Sequence, residues 1–154
     1  MKKRVLSFLF IITLFSLTAV SASAVVNDTL KVGIRWGDTA LEAANLENAV
    51  GSGYEFGYYD EDREFVYLDE TDETTITMQA SGSGNDVTVT ETRSGEVLFQ
   101  FRDNGYCLGI RPMGRHTETW CKGYKYPGGF EYRCNADGTL TVINVVDIED
   151  YVKG

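Results

Sequence analysis

Short runs in which every second residue is apolar constrain the fold of this 154-residue chain more than any other feature. Successive side chains of a β-strand point to opposite faces, so a period of two predicts strands that bury one face. Turn-forming residues separate the runs, and the chain has 16 glycines but only two prolines. Short strands at regular spacing predict a mainly β fold, a sandwich or barrel-like domain of short antiparallel strands.

The predicted strands follow one another along most of the chain. They are Leu30–Trp36, Tyr54–Tyr58, Phe65–Tyr67, Thr74–Met78, Val87–Val89, Val97–Phe101, Leu108–Arg111, Glu118–Tyr126, Phe130–Cys134 and Leu140–Val146. The last strand is the most apolar, so we expect it to be central in its sheet. Asp137-Gly138, just before it, predicts a hairpin with a type I′ turn, in which both central residues have positive φ.

One internal segment has helical features. Thr39-Ala40-Leu41-Glu42 has the spacing of a capping box, and good helix formers follow over Leu41–Val50. We therefore expect a short helix there, with a strand that has a polar face as the alternative.

The C-terminal end predicts the start of a second helix. Asp147 is a favourable N-cap, and Ile148, Tyr151 and Val152 fall on one helical face. A single helical turn cannot bury that apolar stripe. We therefore expect the natural polypeptide to continue beyond Gly154, so that this chain is its truncated N-terminal portion.

The first 24 residues have the pattern of a secretory signal peptide. Met1-Lys2-Lys3-Arg4 is basic, Val5–Val20 is almost wholly apolar, and Ala22-Ser23-Ala24 resembles a cleavage site. Cleavage after Ala24 would place residues 25–154 outside the cytoplasmic membrane, either secreted or in the cell envelope. An uncleaved N-terminal membrane anchor is the alternative.

The charge of the mature chain excludes some classes of partner. Residues 25–154 contain 11 basic and 23 acidic side chains, which gives a formal net charge of −12. Affinity for nucleic acid comes mostly from Lys and Arg, so we expect no nucleic-acid partner. The same charge repels anionic lipid, and no second apolar run is long enough to span a membrane.

The candidate metal ligands lack the spacing of known sites. The acidic runs Asp60-Glu61-Asp62 and Asp69–Glu73 lack the pattern of an EF-hand loop and are interpreted as solvated hairpin turns. The three cysteines contain no Cys-x-x-Cys pair. We expect no metal and no cofactor. A cysteine nucleophile with His116 as its base is an alternative to a solvated histidine in a loop.

Three cysteines, Cys107, Cys121 and Cys134, allow at most one disulfide within the chain. Cys107 with Cys121 is the expected pair, since both lie near the ends of predicted strands.

Most aromatic residues alternate as cross-strand core pairs do. Tyr59, Tyr124 and Tyr126 are the candidates for a sugar-stacking surface. Adjacent residues of a strand point to opposite faces, so Tyr58 and Tyr59 cannot both be buried on one face. None of the 23 acidic residues belongs to a motif that marks it as catalytic.

The segment Gly138–Gly154 resembles the start of the SpoIID/LytB domain, the family of the stage II sporulation protein D and of amidase enhancers. The matching residues are Gly138, Leu140, Val142, Ile143, Asn144, Val146, Ile148, Glu149, Tyr151, Val152 and Gly154. Residues 30–36 and 53–57 resemble earlier parts of such proteins more weakly.

The resemblance implies an exported protein that remodels peptidoglycan, in the manner of a lytic transglycosylase and with a role in sporulation. Its partners would be glycan strands or another cell-wall hydrolase. The family's catalytic glutamate would follow Gly154, so the resemblance assigns no catalytic residue here and implies that this chain is inactive. Asn144, Glu149 and Tyr151 would be packing and helix-start residues. The alternatives are a non-catalytic amidase enhancer or wall-binding module, and a secreted structural or adhesion domain.

Overall fold

The computed structural model describes residues 28–115 and 117–153. The predicted signal peptide, His116 and Gly154 lie outside the described residues. A 3₁₀ turn spans Gly37–Thr39, and helix α1 spans Ile148–Lys153. The strands are β1 (Thr29–Arg35), β2 (Ala44–Glu47), β3 (Gly53–Tyr59), β4 (Phe65–Thr71), β5 (Thr75–Ala80), β6 (Val87–Glu91), β7 (Val97–Phe101), β8 (Leu108–Met113), β9 (Thr119–Cys121), β10 (Tyr124–Tyr126), β11 (Gly129–Cys134) and β12 (Leu140–Asp147).

The described strands form two open, six-stranded antiparallel sheets. The strand order is β1-β12-β11-β8-β3-β4 in the first sheet and β10-β9-β2-β5-β6-β7 in the second. The prediction of a mainly β fold of short antiparallel strands is confirmed. The most apolar strand, β12, is paired on both sides, with β1 and β11, although it lies next to the edge of its sheet and not at its centre.

The inner faces of the two sheets share one hydrophobic core, which is the arrangement of a β-sandwich. The ring of Phe56 on β3 stacks on the ring of Phe99 on β7, with the centroids 5.0 Å apart. The first sheet contributes Tyr54, Phe56, Leu108, Ile110, Phe130, Tyr132, Leu140 and Val142 to this core, and the second sheet contributes Ala44, Leu46, Ile76, Met78, Val87, Val89 and Phe101.

The segment Leu41–Val50 contains strand β2, so the prediction of a helix there is wrong and the alternative is correct. Ala44 and Leu46 are two residues apart and both fully buried, which is the spacing of a strand. Leu41 exchanges backbone hydrogen bonds with Leu140, at 3.0 and 2.7 Å. These long-range contacts outweigh the local helical propensity, which is a weak determinant of structure.

The β11–β12 hairpin forms where it was predicted, but its turn is not type I′. Among its residues only Gly138 has a positive φ, of 82°, whereas a type I′ turn also requires one at Asp137. The carboxylate of Asp137 instead accepts the N–H of Thr139 at 3.0 Å. The N–H of Gly138 donates to the carbonyl of Asn135 at 3.0 Å, which closes a four-residue turn over residues 135–138. Gly138, with its left-handed backbone, is the last residue of that turn.

The acidic side chains of the two runs are exposed except for the half-buried Asp60, but only the first run lies wholly between strands. Oδ1 of Asp60 accepts the N–H groups of Asp62 and Glu64, at 3.0 and 2.9 Å, and so closes the β3–β4 hairpin as predicted. Residues 69–71 belong to β4, and the next turn begins only at Asp72. Among the residues described, no group of three or more His, Cys, Asp or Glu side chains is arranged to hold a metal ion.

Helix α1 begins where the sequence predicts. Asp147 is its N-cap, because Oδ1 accepts the N–H of Glu149 at 2.8 Å. The N–H of Ile148 donates to the carbonyl of Asp28 at 2.7 Å, which ties the first turn to the start of β1. The apolar stripe of Ile148, Tyr151 and Val152 is exposed in the described structure.

Candidate functional site

The outer face of the second sheet carries a row of hydroxyl and amide groups. Asn45, Thr75 and Thr77 alternate along β2 and β5 with buried apolar residues and therefore point away from the core. The amide of Asn45 donates to Oγ1 of Thr77 at 2.9 Å, and Oγ1 of Thr77 lies 3.0 Å from Oγ1 of Thr92. We call these four residues, Asn45, Thr75, Thr77 and Thr92, the polar row.

Trp120 lies beside the polar row on the same outer face. It is the central residue of β9, between the buried Thr119 and Cys121, so its indole ring points outward. Its backbone is paired with Glu47 of β2, and 37% of the residue is exposed. The ammonium group of Lys125 lies 5.2 Å from the centre of the ring and donates to Oε2 of Glu118 at 2.8 Å.

Trp120 and three members of the polar row, Asn45, Thr75 and Thr92, border an open groove of about 270 Å³. Its lining residues are Asn45, Leu46, Glu47, Thr75, Thr92, Trp120, Lys122 and Gly123. An aromatic ring offers an apolar face, while hydroxyl, amide and carboxylate groups supply hydrogen-bond donors and acceptors. A sugar ring has the matching surface, with C–H groups on its faces and hydroxyl groups at its rim. We call this site the Trp120 groove.

Of the three tyrosines predicted to bind sugar, two lie on the hairpin that carries Trp120. Tyr124 is 63% exposed, and its backbone is paired with that of Cys121. Tyr126 is half-buried and packs edge-to-face on Phe130, with the ring centres 6.2 Å apart, so it belongs to the core. Tyr124 is therefore exposed, but it shares a face of the hairpin with Cys121 and not with Trp120, whereas most of Tyr126 is covered.

Tyr59 lies on the opposite side of the molecule, on the outer face of the first sheet. Only 8% of Tyr59 is exposed. The Lys31 ammonium group lies 5.6 Å from the centre of its ring, and Phe65 packs edge-on at 5.2 Å. Burial raises the pKa of its hydroxyl well above the ordinary value. The ring of Tyr59 is therefore covered by the protein itself and is not open to stacking by a sugar.

Glycines provide the space that Tyr59 occupies. A Cβ atom on Gly129 would lie 2.1 Å from the Tyr59 hydroxyl, and one on Gly109 would lie 3.2 Å from its ring. An open cleft of about 280 Å³ borders this region, lined by Arg63, Arg111 and Asp147 among others. Arg111 is already paired with Glu55 and stacked on Phe65, so its charge is largely neutralised within the protein.

The motif residues near the C-terminal end do not lie in the Trp120 groove. Asn144 is buried, and its amide donates to the carbonyls of Pro127 and Gly129, both at 2.9 Å. Glu149 and Tyr151 are exposed on α1. Asn144 therefore packs inside the sheet and Glu149 lies in the first turn of α1, while Gly154 lies outside the described residues.

All three cysteines are free thiols in this structure, so the expected Cys107–Cys121 disulfide is not present. Cys121 is buried in the core, whereas Cys107 and Cys134 are half-buried. The alternative of a nucleophilic cysteine with His116 as its base falls on a residue that lies outside the described residues.

Sequence reasoning missed Trp120, the residue that gives the groove its aromatic wall. The sequence Thr119-Trp120-Cys121 did contain a sign of this outward position. In a strand, Trp120 must point to the face opposite that of Thr119 and Cys121. This sign could be used only if Thr119 and Cys121 were known to face the core.

Comparison with protein-family models, with curated proteins and with solved structures finds no match to this chain. Over the described part of the chain, no helix is long and apolar enough to cross a membrane.

Proposed function

We propose that this chain is an exported peptidoglycan-remodelling protein of the SpoIID/LytB type, and that its β-sandwich binds glycan strands in the Trp120 groove. The resemblance of Gly138–Gly154 to that family and the signal-peptide pattern support the cellular role. The observation that carries the binding function is the outward-pointing indole of Trp120 beside the polar row. A lytic transglycosylase and a non-catalytic amidase enhancer or wall-binding module would both need this contact.

The groove is suited to the uncharged sugar units of a glycan strand. The acidic mature chain repels anionic polymers, so the attraction to glycan must come from short-range contacts. Stacking on Trp120 would bury one sugar face, while Asn45 and Thr75 are placed to exchange hydrogen bonds with hydroxyl and acetamido groups. The groove is open, so a continuous polymer can lie across it without needing a chain end.

Replacing Trp120 by alanine is expected to weaken binding of peptide-stripped glycan strands about 5- to 30-fold. Aromatic stacking with its buried area contributes about 1–2 kcal/mol, and 1.4 kcal/mol is a factor of ten. Co-sedimentation of purified residues 25–154 with the strands measures the change. Trp36→Ala is the matched control, because Trp36 is 67% exposed but lies outside the groove.

The two tryptophans also allow a direct optical test. With Trp36→Phe only Trp120 remains, and its emission should change when glycan is added. With Trp120→Phe only Trp36 remains, and its emission should stay constant. Equal binding by wild type and Trp120→Ala, with both folded by circular dichroism, would contradict the proposal.

The proposed export is tested separately. We expect the mature protein in the extracellular fraction to begin at Val25, because Ala22-Ser23-Ala24 has the pattern of a signal-peptidase site. Amino-terminal sequencing checks this. A chain that begins at Met1 in the membrane fraction would show an uncleaved anchor instead.

A further inference from the structure

The outer face of the second sheet continues beyond the Trp120 groove. Its outward-pointing residues on β5 and β6 alternate with buried apolar residues, and they are Thr75, Thr77, Gln79, Thr88 and Thr90. The mature chain has 11 basic and 23 acidic side chains, yet each of these positions is threonine or glutamine. The outer face of the first sheet differs, because it carries the ion pairs Lys31–Glu131 and Arg111–Glu55.

The strand register arranges the outward residues in lines that run across the strands. Trp120 is paired with Glu47, and Glu47 with Thr75. The N–H of Thr92 donates to the carbonyl of Thr75 at 3.1 Å and so extends this first line past the end of β6. The second line lies two residues further along the strands, and its consecutive members are paired with one another: Asn45, Thr77, Thr90 and Val97. Both lines lead from the Trp120 groove towards β7.

Hydrogen bonds connect the two lines. The Thr77 hydroxyl accepts a hydrogen bond from the Asn45 amide at 2.9 Å and lies 3.0 Å from the Thr92 hydroxyl. The Thr90 hydroxyl donates to the carbonyl of Thr77 at 3.5 Å. A hydroxyl group can donate one hydrogen bond and accept two, so these contacts orient the side chains and leave capacity for a ligand. A surface that is ordered before the ligand arrives loses less entropy on binding.

We propose that a glycan strand bound at Trp120 continues over these two lines towards β7, so that the site holds about four consecutive sugar units. This inference rests on the proposed function. From β9 to β7 the face spans four strand spacings of about 4.8 Å, or about 19 Å. One pyranose unit advances a glycan by nearly the distance of one strand spacing, so successive sugars lie over successive strands.

The uncharged surface of β5 and β6 favours sugar as the occupant. A charged side chain beneath a ligand loses its water, and uncharged hydroxyl groups compensate little of that cost. A threonine side chain loses less, and it offers both a hydroxyl group and a methyl group. These match the hydroxyl rim and the C–H face of a sugar ring. At the far end, Val97 is 53% exposed on the edge strand β7 and can contact the C–H face of the last sugar.

The test compares peptide-stripped glycan fragments of two, four and six sugars. Each is titrated into residues 25–154 carrying Trp36→Phe, and the emission of Trp120 reports binding. We expect the dissociation constant to fall about tenfold from two to four sugars, since each added hydrogen bond contributes a factor of about 2 to 10. From four to six sugars it should change less than about threefold, because the added units extend beyond β7.

Thr90→Val tests the far part of the path. Valine keeps the branched shape but lacks the hydroxyl, so binding of the four-sugar fragment should weaken about 2- to 10-fold. The two-sugar fragment should bind as before, because Thr90 lies on β6, beyond the strands nearest Trp120. Thr88→Val is the matched control. Thr88 is half-buried on the same face of the same strand but is aligned with Gln79 and Gln100, so neither fragment should be affected.

The outcomes separate this inference from the proposed function. Equal affinity for two and four sugars, with both bound, would overturn the inference and leave binding at Trp120 intact. A further tenfold gain from four to six sugars, or equal losses for both fragments in Thr90→Val, would also overturn it. If neither long strands nor fragments bind, the proposed function fails and the inference fails with it. The wild-type length series needs no change in β6, so its result stands even if Thr90→Val does not fold.

Discussion

Replacing Gly53 by alanine is expected to lower the free energy of unfolding by about 3–5 kcal/mol. Gly53 begins β3 with a φ of 120°, where side chains other than hydrogen are strained. A Cβ atom there would lie 1.9 Å from the carbonyl oxygen of Thr71 and 2.8 Å from Cα of Asp72. Both obstacles are backbone atoms of the neighbouring chain segment, so they cannot be relieved by rotating a side chain.

Gly95→Ala is the control for Gly53→Ala. Gly95 also has a positive φ, of 74°, but a Cβ atom there would meet nothing within 4 Å. Its substitution should therefore cost only the conformational strain, about 1 kcal/mol. Urea unfolding followed by circular dichroism gives both values. Similar losses for the two variants would mean that the contact with Thr71 is not the cause.

Replacing Asn144 by aspartate is expected to destabilise the fold by about 3–5 kcal/mol at pH 7. The Asn144 amide donates to two backbone carbonyls, those of Pro127 and Gly129, from a buried position on β12. An ionised carboxylate has almost the same shape but no hydrogen to donate. It would face two carbonyl oxygens with its charge removed from water.

The loss caused by Asn144→Asp should depend on pH. Burial and the two carbonyls raise the folded-state pKa of the introduced carboxyl above its unfolded value of about 3.9. The penalty is therefore fully present above the folded-state pKa and shrinks as the pH falls towards the unfolded value. Unfolding in urea at pH 7 and pH 4.5 measures the difference from wild type.

Asn45→Asp is the matched control for this pH dependence. Asn45 is half-exposed and donates to the Thr77 hydroxyl, which can itself donate to a carboxylate. We expect it to cost less than about 1 kcal/mol, with little change between the two pH values. An equally small effect for Asn144→Asp would show that the bonds to Pro127 and Gly129 do not stabilise the fold.

The Trp120 groove was predictable only in part. The sequence pointed to the β9–β10 hairpin through Tyr124 and Tyr126, but Tyr124 lies on the opposite face of that hairpin from Trp120 and Tyr126 packs against the core. It also drew attention to Tyr59, which the structure places on the opposite face under Lys31. Sequence alternation tells which residues share a face of one strand but not which of the two faces meets the core. That choice depends on the second sheet.

The sequence by itself determined the class of structure and the positions of most strands. Alternation in segments such as Tyr54–Tyr58 and the cap at Asp147 depend on residues close together in the chain, so they can be recognised locally. The tertiary structure alone decided that Leu41–Val50 forms a strand, because Ala44 and Leu46 are buried by residues of distant strands. It also decided which aromatic rings remain exposed. These properties follow from the order of strands in the two sheets, which depends on contacts between residues far apart in sequence.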